Sequence, residues 1–389
     1  MPDERVLTVN AGSSSLKLAL FEAGPQPKRV ASVSIERLGR AGEPAGHARA
    51  FEDGLARLAP HGGLEGVVAV GHRVVHGGPR LSESTVVTAE VLGELRRASP
   101  LDPEHMPAAI ALIEAAAARA PGLLEVACFD TAFHRSMPRA ATLLALPRRY
   151  EAAGVRRYGF HGLSYEFLLA ELERVAGVAA ARGRVVMAHL GGGASLAAVR
   201  EGRSVDTTMG FTPNSGVPMG TRSGDLDPGA ILYLLRSEGM TVDALDEMLS
   251  RRSGLLGVSE TSADMRDLLE REASDSRAAD AVALFCGQVR KAVGAMAAAI
   301  GGVDTLVFSG GIGQHSPVVR ARICAGLGHL GVELDPGSNA DGAAIVSRTP
   351  RPCTVRVIQT DEESVIARDT LRLRGGRGGQ QGTGTGNGQ

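Results

Sequence analysis

Two serines and a lysine near the start of the chain have the types and the spacing of a phosphate-binding element. Ser13, Ser15 and Lys17 alternate along a stretch that follows a small-residue turn. A strand there would place both hydroxyls and the ammonium on one face. Hydroxyls and backbone amides donate hydrogen bonds to phosphate oxygens, and the lysine neutralises their charge. A serine-rich surface hairpin is the alternative, because small polar turns are common.

Two short strands must position these residues. Their apolar members are Val6, Leu7 and Val9 before the turn and Leu16, Leu18 and Leu20 after it. This alternation predicts a β-hairpin. A second unit of the same kind begins at Val185, where a buried strand runs into a run of glycines and a further strand follows. The pair of units predicts a weak internal repeat, and hence two similar halves that face each other across a cleft.

Three further residues stand where an anion could be received. Arg73 ends a buried strand that starts at Val67, and Asp130 directly follows another apolar strand. The carboxyl ends of strands form the functional edge of an α/β sheet. His161 lies between an aromatic residue and a glycine. The structural alternatives are a surface ion pair for the arginine, a cap for the aspartate and a buried structural role for the histidine.

Several turns lie where helices are predicted to begin. Asp227 and Pro228 are typical of a helix start, and Ser164 and Ser262 each precede an apolar run that they could cap. The helix after Ser262 would carry Arg266 in its first turn, where a cation opposes the helix dipole. That conflict indicates a functional role for this arginine.

Two more junctions complete the pattern. A buried strand from Thr305 runs into the glycine-rich residues 310–313, and a helix is predicted near Pro317. Bare backbone at a helix start can receive a flat or anionic ligand, although such turns are common in α/β proteins. The acidic residues 361–363 open the last helix. Their other interpretation is an acidic start favoured by the helix dipole.

Size and composition restrict the function classes. A chain of 389 residues predicts two domains, and 42 Lys and Arg against 43 Asp and Glu argue against nucleic acid as a partner. Aromatic residues make up only 3% and tryptophan is absent, so platforms for base stacking are not evident. The four cysteines form no CxxC pair, which indicates buried thiols in a reducing compartment and argues against a disulfide or a cysteine metal site.

The targeting signals point to a cytoplasmic protein. The charged N-terminus lacks the apolar core of a signal peptide. The apolar segment 278–300 carries Asp280, Arg290 and Lys291, so we predict a buried helix there and no membrane partner. The glycine-rich residues 375–389 cannot form a core and are predicted to be disordered.

Nine segments in order resemble the acetate kinase family over nearly the whole chain: NAGSSSLK, GHRVVHGG, FDTAFH, YGFHG, HLGGGAS, MGTRSGDLDP, SADMRDL, FSGGIG and TDEESVIARDT. The resemblance implies an α/β fold of two duplicated domains of the actin-like, sugar-kinase-like ATPase class. We place the N-terminal domain at 1–150, completed by a C-terminal helix at about 362–374, and the nucleotide-binding domain at 151–361. A homodimer is also implied.

The implied reaction is reversible transfer of the γ-phosphoryl group of ATP to acetate, which gives acetyl phosphate and ADP. By the resemblance, Arg73 binds the acyl substrate. Asp130 is the catalytic acid or base that orients it, and His161 and Arg222 stabilise the transition state. A carboxylate acceptor needs no deprotonation, so the obstacle is repulsion between anions, which positive groups relieve.

The resemblance also implies a metal ion and a nucleotide site. Asn10 and Glu362 would lie beside Mg²⁺, with Mn²⁺ as an alternative ion. The implied nucleotide contacts are Lys17, His189, Leu190, Gly191, Gly192, Gly193, Asp264, Met265, Arg266, Gly311, Ile312, Gly313, Gln314 and His315.

The chain departs from the family pattern at three places. Gly192 replaces an asparagine of HLGNG, and GIGQH replaces GIGEN. The PLHNPPN segment appears as PLDPEHMPAAI, where an insertion brings His105 into the place of the histidine. Propionate or butyrate kinase therefore stays open as an alternative activity, because one methylene changes binding by only about 1–3 kcal/mol. A non-catalytic actin-like ATP-binding module is the alternative outside enzymology.

Overall fold

The computed structural model describes residues 4–12, 15–36, 44–350 and 352–378. The chain forms two compact units, Met1–Ala132 with Asp361–Gln389, and Phe133–Thr360. The first boundary lies before the predicted residue 150. The reason is that His134 belongs to the second unit, where its ring hydrogen-bonds Ser204 and the Phe160 carbonyl. The C-terminal helix belongs to the first unit.

The strands are numbered in chain order: β1 (Arg5–Ala11), β2 (Ser15–Glu22), β3 (Lys28–Glu36), β4 (Val67–Val74), β5 (Thr85–Val86), β6 (Leu124–Phe129), β7 (Arg184–Leu190), β8 (Ala194–Arg200), β9 (Arg203–Thr207), β10 (Thr305–Ser309) and β11 (Thr354–Val357).

The α-helices are α1 (Pro44–Leu58), α2 (Ala89–Ala98), α3 (Met106–Arg119), α4 (Arg139–Thr142), α5 (Arg148–Ala152), α6 (Gly162–Ala176), α7 (Val178–Arg182), α8 (Pro228–Arg236), α9 (Val242–Arg251), α10 (Gly254–Ser259), α11 (Met265–Arg271), α12 (Ser276–Ile300), α13 (Gly310–His315), α14 (Pro317–Cys324), α15 (Pro336–Ala340) and α16 (Glu362–Gly378). Short 3₁₀ helices cover Ala59–His61, Ser99–Leu101, Ala132–Ser136 and Gly328–Leu330.

The first unit is built on a sheet of order β3-β2-β1-β4-β6-β5. The predicted hairpin is its β1–β2 pair, and β4 and β6 run parallel to β1. Alternate side chains of the sheet separate two cores. One face packs against α1 and α3, and the other packs against α16. Gly71 lets α16 approach closely, because a Cβ there would stand 2.2 Å from the Thr370 hydroxyl.

The second unit repeats this arrangement. Its sheet has the order β11-β10-β7-β8-β9, with β7, β8 and β9 antiparallel and β10 and β11 parallel to β7. The same succession of three antiparallel strands and two parallel strands occurs in both sheets. The internal repeat that the sequence pattern predicted is therefore present in the topology.

Helix α12 is the long apolar helix that the sequence analysis singled out. It is long and apolar enough to cross a membrane by length and composition, the one such helix in the described part of the chain. It packs against β7, β8 and β9, with side chains such as Phe285 and Val289 fully buried. Arg290 on the same helix donates to the Ile323 carbonyl at 3.2 Å. These contacts are those of a core helix.

The C-terminus differs in part from its prediction. Helix α16 continues through residues 375–378, where disorder was expected. Arg374, which directly precedes these residues, forms two hydrogen bonds of 2.6 Å with Glu4. The remaining residues of the predicted tail, 379–389, lie outside the described part of the chain.

Candidate functional site

In the first unit, three predicted site residues lie at one edge of the sheet. Asn10 is near the end of β1, Arg73 near the end of β4, and Asp130 directly after β6. These strands are parallel, so their carboxyl ends open toward the same edge. The structure thus brings together residues that the sequence places far apart.

Arg73 and Asp130 form a buried ion pair. The Arg73 Nη2 donates to one Asp130 oxygen at 2.6 Å, and its Nε donates to both oxygens at 3.1 Å. Burial is the largest effect on Arg73 and opposes its charge, but Asp130 and the glutamates of α16 together raise its pKa. Burial raises the pKa of the Asp130 carboxyl, and the Arg73 charge counteracts that rise. The remaining Arg73 nitrogen, Nη1, donates to the Ala11 carbonyl at 3.0 Å, so the guanidinium is fixed in one orientation.

Asn10 links this pair to the start of α16. Its amide nitrogen donates to Glu362 and to Glu363 at 3.0 Å each, and its amide oxygen lies 3.4 Å from Arg73 Nη1. Lys17 stands opposite Asn10 in the β1–β2 pairing and is exposed, so both side chains lie on one face of the hairpin. Ser13 lies outside the described residues, so this part of the prediction stays a prediction.

The acidic start of α16 is compatible with a magnesium ion. Within the described residues there is no cluster of three or more His, Cys, Asp or Glu side chains that would form a complete metal cage. Mg²⁺ does not require one, since it is commonly held by one or two carboxylates together with substrate phosphates and water. Glu362 with Asn10 provides hard oxygen donors of this kind beside the Arg73 guanidinium. The donor set therefore fits the ion that the resemblance implies.

His105 lies at the start of α3. Its Nδ1 is 2.9 Å from an oxygen of Asp102, and both side chains are nearly buried. The His105 ring is close enough for its charge to lower the pKa of Asp130. His105 therefore belongs to the surroundings of the Arg73–Asp130 pair.

In the second unit, two glycine-rich segments meet: the turn 191–193 after β7 and the start of α13 after β10. The backbone amide of Gly311 lies 3.8 Å from the place where a Gly191 Cβ would stand. Gly310 has a positive φ of 74°, and a Cβ there would stand 2.5 Å from the Leu190 carbonyl oxygen. Gly192 is exposed, with open space where its Cβ would be. The turn 191–193 and the start of α13 therefore pack against each other and leave bare backbone on their outer side.

The turn 191–193 is surrounded by His161, His189 and Arg222. The rings of His161 and His189 are stacked, with centroids 4.5 Å apart. A Cβ on Gly193 would stand 3.1 Å from His161 Nε2 and 3.7 Å from Arg222 Nη1. Arg222 also donates to the Pro213 carbonyl at 3.2 Å. A neutral or charged imidazole and a guanidinium thus converge on one glycine, an arrangement suited to stabilising an anion.

The segment 264–266 is joined to this turn through Gly220. The Gly220 amide donates to the Gly192 carbonyl at 3.3 Å, and the Ala263 carbonyl lies 3.2 Å from the place of a Gly220 Cβ. Met265 is buried, whereas Arg266 is largely exposed. The segments 191–193 and 264–266, both predicted to contact a nucleotide, are therefore neighbours in the second unit.

Two predicted helix starts are wrong at this site. Asp264, not Ser262, caps α11, because its carboxylate accepts from the Arg266 amide at 2.8 Å. The Arg266 guanidinium pairs with the same carboxylate and so lowers the pKa of Asp264. This pairing explains a cation in the first turn. Ser164 lies inside α6, which begins at Gly162, and its hydroxyl bonds His189 Nδ1 at 2.8 Å.

The segment 310–315 forms the short helix α13 where a turn was expected, and α14 follows from Pro317 as predicted. The last two residues of α13 differ in exposure. Gln314 donates to the Ile358 carbonyl at 3.4 Å, and His315 is exposed at the helix end. Ile312 is half-buried next to the buried Gly313. The exposed members of this segment are the ones available to a ligand.

The sequence analysis missed three residues that support His161. Ser195 and Tyr165 form a hydroxyl chain to its ring, and His134 holds the preceding carbonyl, that of Phe160, at 3.0 Å. Tyr165 follows His161 by four residues at the start of a helix, and residues with this spacing lie on the same helix face. The spacing therefore could have predicted that Tyr165 lies close to His161.

The chain matches the acetokinase family over residues 5–368. An acetate kinase of Rhodopseudomonas palustris (strain TIE-1) is 44% identical over 394 residues, covering 95% of this chain and 98% of that protein. The chain belongs to the acetokinase family. A propionate kinase of Citrobacter rodentium is also similar, 42% identical over 390 residues that cover 95% of this chain and 96% of that one.

Solved structures of the acetokinase family agree with the fold. The crystal structure of Porphyromonas gingivalis acetate kinase has a TM-score of 0.86 and 36% identity, over 95% of this chain and 100% of that chain. A propionate kinase from Francisella tularensis has a TM-score of 0.84 and 34% identity, over 95% and 100% of the two chains. The predicted family and the predicted α/β fold of two duplicated actin-like domains are thereby confirmed.

Proposed function

We propose that this chain is an acetate kinase, which transfers the γ-phosphoryl group of ATP reversibly to acetate and forms acetyl phosphate and ADP. The observation that carries the proposal is the engagement of Asp130. A kinase that phosphorylates a hydroxyl group uses a carboxylate to accept the hydroxyl proton. Here both Asp130 oxygens accept hydrogen bonds from Arg73, and the residue is only 1% exposed. The arrangement therefore favours an acceptor that is already an anion.

The four charged or polar groups have separate roles in this proposal. Arg73 binds the carboxylate of acetate, and Asp130 acts by orienting Arg73. His161 and Arg222 stabilise the charge on the phosphoryl group during a direct in-line transfer. The convergence of the last two on Gly193 supports that pairing.

The nucleotide and the metal ion complete the proposed site. Lys17 and the segments 189–193, 264–266 and 311–315 would hold ATP or ADP, as the family resemblance implies. Glu362 and Asn10 would hold Mg²⁺, or Mn²⁺ in its place. When bound, the ion would neutralise phosphate charge that otherwise repels the acetate.

Replacement of Arg222 tests the proposed transition-state role. Arg222→Ala is expected to lower kcat by at least about a hundredfold, because it removes a cation that acts on the transferring group. The measurement is hydroxylamine trapping of acyl phosphate formed from ATP and acetate. Arg348→Ala, which removes an exposed arginine of the same unit, is the control and keeps wild-type turnover. Near-wild-type turnover of Arg222→Ala would refute the role.

Propionate is the second candidate acceptor, since a propionate kinase is 42% identical to this chain. Values of kcat/KM for acetate, propionate and butyrate distinguish the candidates, and we expect the largest value with acetate. A clear preference for propionate or butyrate would replace the assignment. ATP binding without hydroxamate from any short acid would favour a non-catalytic ATP-binding module.

A homodimer is proposed for the assembly. Helix α8 has no buried residue, and Leu232 and Tyr233 on it are 45% and 57% exposed. A second copy would cover this apolar surface. Leu232→Glu is then expected to shift sedimentation from dimer to monomer.

The cytoplasm is proposed as the compartment, which the four buried free cysteines support.

A further inference from the structure

A chain of buried hydroxyls ends on the ring of His161. The Ser195 Oγ lies 2.8 Å from His161 Nδ1 and 2.6 Å from the Tyr165 hydroxyl oxygen. Ser195 and Tyr165 are both 0% exposed. Tyr165 is one helical turn after His161, and its backbone amide donates to the His161 carbonyl at 3.0 Å. The first turn of α6 therefore carries both ends of this chain.

The positions of the protons follow from counting donors and acceptors. Burial, the largest effect, raises the pKa of Tyr165, so the phenol keeps its proton at neutral pH. Among the described residues, Ser195 Oγ is the side-chain acceptor that the structure gives to this proton. The proton of Ser195 is then available to its other partner, His161 Nδ1. A buried hydroxyl that donates to nothing is unfavourable, because its lost hydrogen bond to water is not replaced.

We propose that Tyr165 and Ser195 are positioning residues that hold His161 in the neutral tautomer with its proton on Nε2. In this tautomer Nδ1 accepts from Ser195, and Nε2–H is the donor. In an imidazolium, the proton on Nδ1 would point at Ser195 and leave the Ser195 hydroxyl proton without an acceptor. The hydroxyl chain thus selects one of the three protonation states of the ring.

The selected tautomer places the donor where the proposed reaction needs it. His161 Nε2 is the ring atom that faces Gly193, beside Arg222 Nη1. The backbone at His161 has a positive φ of 59°, and the ring stacks on His189, so its direction is restricted. The functional value of the tautomer rests on the proposed function, in which His161 donates to the transferring phosphoryl group. The assignment of the proton itself does not.

Nitrogen NMR of the full-length protein tests the proton assignment without an activity measurement. The protein is labelled with ¹⁵N-histidine, and the His161 signals are identified by their loss in His161→Gln. At pH 7 we expect a protonated Nε2 and an unprotonated Nδ1. A protonated Nδ1, in either the other tautomer or the imidazolium, would overturn the proposal.

Variants test whether the hydroxyls cause this state. Ser195→Ala is expected to give a mixture of tautomers and a kcat at least about tenfold lower, with KM values for ATP and acetate within about twofold of wild type. Ser195→Thr retains a hydroxyl and is expected to restore the Nε2–H tautomer. Tyr158→Phe removes another buried phenol, which donates to the Gly154 carbonyl at 2.8 Å, and leaves the tautomer unchanged.

The outcomes separate the two proposals. An unchanged His161 spectrum in folded Ser195→Ala would overturn the positioning role, whatever the activity. If the wild-type enzyme shows the Nε2–H tautomer but forms no acyl phosphate with any short acid, the proposed function fails and the proton assignment stands.

Discussion

The stability of the second unit is expected to depend on the protonation of His134. Its ring is buried, with Nε2 against the Phe160 carbonyl and Nδ1 against the Ser204 hydroxyl, 2.9 Å away. Burial lowers the pKa of His134 from 6.5 to about 4, although the Phe160 carbonyl favours protonation. Between these two pH values the unfolded chain binds a proton at His134 that the folded chain does not. Acidification through this window therefore favours unfolding.

The size of the effect follows from the lowered pKa. At about 1.4 kcal/mol per pKa unit, the change to a pKa of about 4 corresponds to about 3 kcal/mol of folding free energy. This stability is fully present above pH 6.5 and is lost as the pH falls toward 4. Most of the loss, about 2.5 kcal/mol, is expected by pH 4.5.

Urea unfolding followed by circular dichroism at pH 7 and pH 4.5 measures this effect. His134→Gln cannot titrate, so its free energy of unfolding relative to wild type is expected to rise by about 2.5 kcal/mol between pH 7 and pH 4.5. The difference in unfolding free energy between the two proteins removes the contributions of all other titrating groups, because both proteins share those groups. His329→Gln, which replaces an exposed histidine, is the control and shows no such change. A difference between wild type and His134→Gln that stays constant with pH would refute the reasoning.

Two further predictions concern stability. Gly310→Ala is expected to destabilise the protein by at least about 2 kcal/mol, because its φ is 74° and its Cβ would stand 2.5 Å from a carbonyl oxygen of β7. Gly311→Ala is the control. Its Cβ would stand in open space, so the thermal midpoint is expected to change little. His72→Ala leaves the buried Glu125 side chain without its hydrogen-bond partner and is expected to cost about 1–3 kcal/mol in urea unfolding. Arg174→Ala, which breaks an exposed pair with a glutamate three residues earlier, is its control at under about 1 kcal/mol. Equal losses of stability in Gly310→Ala and Gly311→Ala would contradict the first prediction. Equal losses in His72→Ala and Arg174→Ala would contradict the second.

Local patterns in the sequence determined much of the fold. The alternation around Lys17 and the apolar run from Val185 predicted strands that the structure contains, and the repetition of strand, turn and strand predicted the duplicated sheets. Asp227 caps α8 ahead of Pro228, as expected. Such features are local, because side-chain period and capping depend on residues a few positions apart.

The errors of local interpretation have one physical cause. Ser164 and Ser262 are suitable caps, but neither serves as one. Ser164 bonds His189 across the fold, and Asp264 has a carboxylate better placed for the α11 amides. Long-range contacts also act on the division into units, since His134 bonds Ser204 and the second compact unit begins at Phe133.

The sequence by itself determined which residue types are available for phosphoryl transfer and which strands and helices carry them. Only the tertiary structure decided their pairing. Asn10 meets Glu362 across 352 positions, and Arg73 meets Asp130 across 57. The carboxylates that favour the charged form of Arg73 and the hydroxyl chain that contacts His161 are brought into place by packing between distant segments. The folded chain alone sets these distances, because the residues that meet are far apart in the sequence.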